Sequence, residues 1–236
     1  MSVLTALRGM AVMLTGSIVL NVAAAASVRA MVRALKHGRQ PPSTAIAGVV
    51  ATLLYVLVIR QWMLHWGATD AEDEASLPGD ELAARPSVGT TRAVTIDAPP
   101  EEVWPWLAQI GVDRGGFYSY DLLENVAGCH VENADRIHPE WQQRDIGEKV
   151  MLHPALGLEV GRFDPGRDLV LKGWGAFVLE PLDGGRTRLL ARGHAPQRLL
   201  ERAYNVLLME IPHFVMERKM LLGIKARAEC NGVSEQ

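Results

Sequence analysis

Apolar positions follow three different periods along this chain, and each period predicts a different kind of element. Two runs come first without any charge, Gly9 to Val28 and Ser43 to Ile59. At the helical rise the first spans ~30 Å, the thickness of a bilayer's hydrocarbon core. The second is shorter, but Arg60 can snorkel from its end, and Trp62 and Trp66 suit an interfacial belt. Further on, Val94 and Ile96 alternate with Ala93 and Thr95, which predicts a strand with one buried face. Pro99 and Pro100 close the strand and suit a first helical turn, where Glu101 and Glu102 complement the helix dipole. Val103, Trp104, Leu107 and Ile110 then recur at helical spacing, with a kink expected at Pro105 and a stop at Gly111. A second short helix is expected from Tyr120 to Val126, ending at Gly128. The stretch Cys129 to Arg144 shows no sustained period and predicts a structured loop.

From Lys149 the period becomes that of strands. Leu158, Val160 and Arg162 alternate with Glu159, Gly161 and Phe163, and Asp164-Pro165-Gly166 predicts a turn into Leu169, Val170 and Leu171. The clearest hairpin pairs Phe177–Leu182 with Thr187–Arg192 across Asp183-Gly184-Gly185. It sets Arg186, Arg188 and Arg192 on one face and Leu189 and Ala191 on the other, with His194 on the arginine side. After Pro196 the helical period returns, around Leu199, Leu200, Ala203, Val206 and Leu207. Pro212 then suits the first turn of a final helix carrying Phe214, Met216, Met220, Leu221 and Ile224. Glu217, Arg218, Lys219, Lys225 and Arg227 are expected on its wet side.

Strand, two helices, an antiparallel meander and a long terminal helix make an α+β domain, preceded by two transmembrane helices. The expected division is a membrane anchor over 1–66, with helices at about 9–28 and 43–62, an acidic tether over 67–90, and the folded domain over 91–229. Charge sharpens this division: residues 1–69 hold six Lys/Arg and no acid, and all 27 Asp/Glu come later. Asp70, Glu72, Asp73, Glu74, Asp80 and Glu81 surround Pro78 and Gly79 in a segment poor in large apolar residues, the composition of a tether. Basic residues in the domain are interleaved with acids, which argues against nucleic acid as a partner. Cys129 and Cys230 are two cysteines without metal-type spacing, so neither a disulfide framework nor a zinc site is indicated.

The junction Thr95-Ile-Asp-Ala-Pro-Pro-Glu-Glu-Val-Trp104, the hairpin Phe177 to Leu190 and the terminal helix Phe214-Val-Met-Glu-Arg-Lys-Met-Leu221 together resemble the START-like, or SRPBCC, superfamily of helix-grip proteins. Its polyketide cyclase/dehydrase and lipid-transport branch is the nearest in pattern. Arg114-Gly-Gly-Phe-Tyr-Ser-Tyr-Asp121 and Asn133-Ala-Asp-Arg136 look like motifs of one bacterial subgroup. The resemblance covers about residues 88 to 229 and leaves the apolar runs outside. It implies a helix-grip fold, a curved antiparallel sheet around a long C-terminal helix, with a cavity between the two for a hydrophobic small molecule or lipid. Trp104, Leu107, Tyr118, Tyr120, Phe177, Leu189, Met216 and Met220 are the expected lining. Fold alone licenses no reaction.

The strongest polar cluster is Arg114, Tyr118, Tyr120, Asp121 and Glu124, followed by Asn133, Asp135 and Arg136. Tyr118, Asp121 and Glu124 are the candidates for proton transfer in a cyclase- or dehydratase-like enzyme, because burial at a cavity mouth would raise a carboxyl pKa toward neutrality. The structural alternative is that Arg114 or Arg136 pairs with Asp121 or Asp135 and pins the long loop. His130, His138, His153 and His194 are too scattered to propose a metal site, and no cofactor is implied. A third reading is a ligand-free interaction domain whose cavity is filled by side chains.

Sidedness follows from charge. Arg29, Arg33, Lys36 and Arg39 lie between the apolar runs and should hold that loop in the cytoplasm, leaving the domain outside. A cleaved signal peptide, with Met10 to Val22 as its apolar part and Ala23 to Ala26 at the cleavage site, would reverse this topology. An exported phosphatase fused after Gln236 should be active and a cytoplasm-only fluorescent reporter there dark. A bright reporter on a chain with its amino terminus intact overturns the hairpin orientation.

Overall fold

A computed structural model describes residues 3–82, 88–126, 128–195 and 198–231. The two uncharged runs lie in helices α1 (Val3–Lys36) and α2 (Ser43–Leu64), both long and apolar enough to cross a membrane. Small residues bring them together, since a Cβ at Gly48 would fall 2.0 Å from Ser27 Oγ. Helix α2 widens into a π turn over Tyr55–Ile59, where the Arg60 amide donates to the Tyr55 carbonyl.

The next segment is not the tether that its composition predicts. A short helix, α3 (Asp70–Glu74), is capped reciprocally by Thr69 and Glu72. Beyond it Leu77 is buried against Ala93, Val170, Ala176, Val178 and Leu190 of the sheet. The reason is the arginine face of the hairpin. Arg188 donates to the Glu72 carboxylate at 2.7 and 2.9 Å and to the Gly67 carbonyl at 2.6 Å. Arg192, fully buried, donates to the carbonyls of Asp73 (2.9 Å), Glu72 (3.0 Å) and Ala75 (2.7 Å). His194 meets Asp80 at 2.9 Å. The Arg188 guanidinium beside it holds the Glu72 carboxyl down at about 2. Residues 83–87 of the expected tether lie outside the described residues, and 88–90 belong to the first strand.

That strand, β1 (Val88–Ile96), leads into α4 (Pro100–Ala108), which carries Pro105 inside it, and then α5 (Asp121–Val126). The meander follows as β2 (Lys149–His153), β3 (Leu156–Asp164), β4 (Asp168–Leu171), β5 (Gly175–Leu182) and β6 (Arg186–His194). All neighbours are antiparallel in the order β1-β6-β5-β4-β3-β2, so the last strand returns beside the first. Bulges in the β1–β6, β2–β3 and β3–β4 pairings curve the sheet. At the β5–β6 turn Gly184 and Gly185 adopt φ of 78° and 69°, as the hairpin predicts.

Both sheet faces are covered, not one. Ile96, Leu169, Leu171, Phe177, Leu179, Leu189 and Ala191 form the inner core with Val103, Trp104 and Leu107 of α4 and Met220, Leu221 and Ile224 of the terminal helix. The outer face takes the 67–82 segment. The terminal helix, α6, runs unbroken over 199–231 where two helices meeting at Pro212 were expected. Proline cannot donate to the Leu208 carbonyl, and the helix absorbs this through a π turn at Asn205–Met209, in which the Glu210 amide donates to the Asn205 carbonyl. Glu217 is not on a wet side either. It is 5% exposed and ion-paired with Arg92, itself 0% exposed on β1.

Arg192→Ala should strip three carbonyls of their donor inside the fold and destabilise the domain by about 3 kcal/mol. Thermal unfolding measures the loss, and limited proteolysis should cut first within 67–82. An unchanged cleavage pattern would show that the cover does not depend on this arginine.

Candidate functional site

Asn133 organises the loop that holds the sequence-predicted cluster. Its side-chain oxygen accepts from the amides of Phe117 (3.1 Å) and Tyr118 (2.6 Å), and its nitrogen donates to the Ser119 carbonyl at 3.2 Å. Those bonds hold Tyr118 at φ 56°, a left-handed conformation a tyrosine rarely adopts. The Tyr118 hydroxyl donates to the Trp106 carbonyl at 3.0 Å, and burial pushes its phenol above the usual range. Ser119 Oγ donates to the Met216 carbonyl at 2.8 Å, tying the loop to α6. Arg114 does pin the long loop, but through other partners than Asp121 or Asp135. It donates to the carbonyls of Trp141 and Gln143, each at 3.0 Å, and to Glu148 at 2.7 Å.

Of the three proton-transfer candidates, Tyr118 has its hydroxyl committed and Asp121 is exposed, accepting from the Leu122 amide at 2.7 Å. Glu124 differs. It is buried, its Oε2 has no hydrogen-bond partner, and desolvation, helped by the Asp121 charge, pushes its carboxyl up to about 7. The three therefore share a neighbourhood without converging on one point of chemistry.

Trp104, Leu107, Tyr118, Phe177, Leu189 and Met220 all belong to the one buried inner core. Trp104 tilts against Phe163 with ring centroids 5.0 Å apart. Tyr120 and Met216 are half-buried and do not belong to that core, and the Lys219 ammonium lies 5.9 Å from the Tyr120 ring centroid. Among the described residues no group of three or more His, Cys, Asp or Glu side chains is placed to hold a metal ion.

A cleft of about 260 Å³ opens elsewhere, where α1, α2 and α6 meet. Leu20, Ala24, Val56 and Val206 make its apolar wall, and Asn21, Thr52, Tyr55, Arg60 and Glu210 bring polar groups to it. Asn21 donates to the Ser17 carbonyl at 2.8 Å and across to the Leu207 carbonyl at 3.3 Å, while Thr52 donates to Gly48 at 2.7 Å. Arg60 donates twice to Glu210 Oε2, at 3.1 and 2.8 Å. Glu210 is 5% exposed and its Oε1 has no partner. The two π turns, Tyr55–Ile59 and Asn205–Met209, border this cleft from opposite helices, and such turns recur at functional sites. A larger hollow of about 660 Å³ is lined by α1 from Ala24 to Lys36 and by His37 just beyond it, and is open surface. Sequence reading misses the cleft because it treats Arg60 as a snorkelling end group. The available signal was Glu210, an acid set inside the apolar run Val206-Leu-Leu-Met-Glu-Ile-Pro212.

No protein-family model, curated protein or solved structure matches the chain. The helix-grip resemblance rests on the residues that carry it.

Glu124 makes stability depend on pH. Its carboxyl is raised from an ordinary 4.5 to about 7, so the folded state binds more protons than the unfolded one between those values. Stability is therefore full below the lower value and falls as pH rises through the higher, by about 3 kcal/mol. Glu124→Gln should flatten this slope in denaturant unfolding from pH 4 to 8 (roughly the window the shift defines). An identical slope in the variant would remove Glu124 as its source.

Proposed function

We propose that the protein is a membrane-anchored binding module for a hydrophobic small molecule or lipid, with α1 and α2 crossing the bilayer and the domain on its outer side. The observation that carries this reading is the continuity of α6. The helix that covers the inner face of the sheet runs on, without a break, to pack beside α1 and α2 around the cleft. A ligand taken from the bilayer would thus contact the element that grips the sheet.

Burial supports the membrane part. The apolar windows of α1 and α2 are 0% and 6% buried inside the molecule, unlike the core helices of a soluble protein. At the start of α6, Leu199 and Leu200 are 81% and 84% exposed, a further apolar surface that the molecule itself leaves uncovered. Trp62 stacks edge-on to Phe214 at 5.3 Å, and Arg218 lies 4.9 Å over the Trp66 ring, so the aromatic belt is fastened to the domain. The helix-grip resemblance supports an apolar ligand, and the packed inner core favours the helix-lined cleft as the point of entry over a preformed hollow in the domain.

A second reading, a cyclase- or dehydratase-like enzyme, draws on one observation, the Glu124 carboxyl held near neutrality where it can act as acid or base. Tyr118 would then position rather than react.

Native mass spectrometry of the full chain, released gently from detergent, should show a retained lipid or hydrophobic small molecule. Protein that carries none, in detergent and after reconstitution in native lipid extract, would sink the binding reading and leave a ligand-free interaction domain.

A further inference from the structure

Helix α6 brings a carboxylate to the rim of the apolar helices and satisfies only half of it. Arg60 occupies Glu210 Oε2, whereas Oε1 of this cleft-lining residue is buried without a partner. Leaving such an acceptor dry is unfavourable, and more so for a charged group. That cost disappears if something in the cleft donates to it. Of the other donors on the wall, Asn21 and Thr52 already donate to backbone carbonyls, and the Tyr55 hydroxyl makes no hydrogen bond to Oε1.

Position decides what the donor belongs to. Arg60 is four residues from the domain end of α2, so the ion pair lies at the level of a membrane interface, while Leu20, Ala24 and Val56 continue the wall toward the bilayer centre. Size decides how much enters. A volume of about 260 Å³ falls below the ~300–1,000 Å³ of pockets that engulf a whole small molecule, so a head group and upper chain fit while the rest stays in the bilayer.

We propose that the cleft between α1, α2 and α6 binds the head and upper chain of an amphiphile whose head group donates hydrogen bonds, as a hydroxyl or an ammonium does, to Glu210 Oε1. Anionic heads without a donor are disfavoured by the carboxylate, and a quaternary ammonium head has no proton to give. This assignment rests on the lipid-binding reading and names its ligand class and its site.

The test uses the full chain in nanodiscs of phosphatidylcholine doped with a minor fraction of either diacylglycerol, a hydroxyl donor, or phosphatidylethanolamine, an ammonium donor. Lipid retained on the protein is counted by native mass spectrometry. Wild type should enrich one donor-headed lipid over phosphatidylcholine, and the arm that responds identifies the hydroxyl or the ammonium. Glu210→Gln should cut that enrichment by about tenfold, the loss expected for one hydrogen bond to a charged group. Because Glu210→Gln also loosens Arg60, Ala24→Phe serves as the second variant: it fills the cleft, leaves the ion pair in place, and should cut enrichment equally. Equal retention of phosphatidylcholine by wild type, or full enrichment in Ala24→Phe, overturns the site while the binding reading stands. No retained lipid of any kind overturns both.

Discussion

Arginines taken out of water need partners, and in this fold Arg60, Arg92, Arg188 and Arg192 find theirs in segments distant in sequence. Arg92 is buried on β1 and reaches Glu217 of α6 and the Met63 carbonyl of α2, the latter at 2.8 Å. Arg192 and Arg188 on β6 hold the 67–75 stretch, and Arg60 of α2 holds Glu210 of α6. Desolvating one such cation without its partner costs several kcal/mol, so these contacts form together or the fold does not close. Sheet, outer cover, apolar helices and terminal helix are thereby one cooperative body rather than a domain on a string.

The terminal helix is the member common to most of these contacts. Its middle and last turns lie on the sheet, where Lys225 donates to the Thr95 carbonyl at 2.7 Å and Arg227 to the Ala134 carbonyl at 2.9 Å. Its π turn lies against α1 and faces the π turn of α2 across the cleft. A π turn widens the helix locally and re-aims the side chains around it. Here it lets one helix serve two environments, and it places Glu210 at the boundary between them. Any change in how α6 sits among the apolar helices is transmitted to the sheet by a rigid element and not by a linker.

Much of the architecture was legible in the chain because it is local. Alternation at Val94 and Ile96, the Asp183-Gly184-Gly185 turn, the Pro100 helix start and the two uncharged runs all express periods or turn chemistry over a few residues, and each element forms where it was expected. The hairpin even sorted Arg188, Arg192 and His194 from Leu189 and Ala191 correctly. What covers the arginine face was not legible. An acidic segment poor in apolar residues reads as solvated chain, and only the arginines waiting on the sheet turn it into a lid.

The sequence by itself determined element types, the order of strands joined by hairpins and the presence of helices fit for a bilayer, since these depend on neighbours in the chain. Tertiary structure alone decided which charges are buried and with whom: Arg60 meets Glu210 across 150 residues and Arg92 meets Glu217 across 125. It also decided that Trp104, Leu107 and Leu189 fill the inner core, and that the one half-satisfied carboxylate of the cleft stands among three helices. Periodicity records which way a side chain points along its own element. The identity of what it points at is a property of packing, and no local pattern carries it.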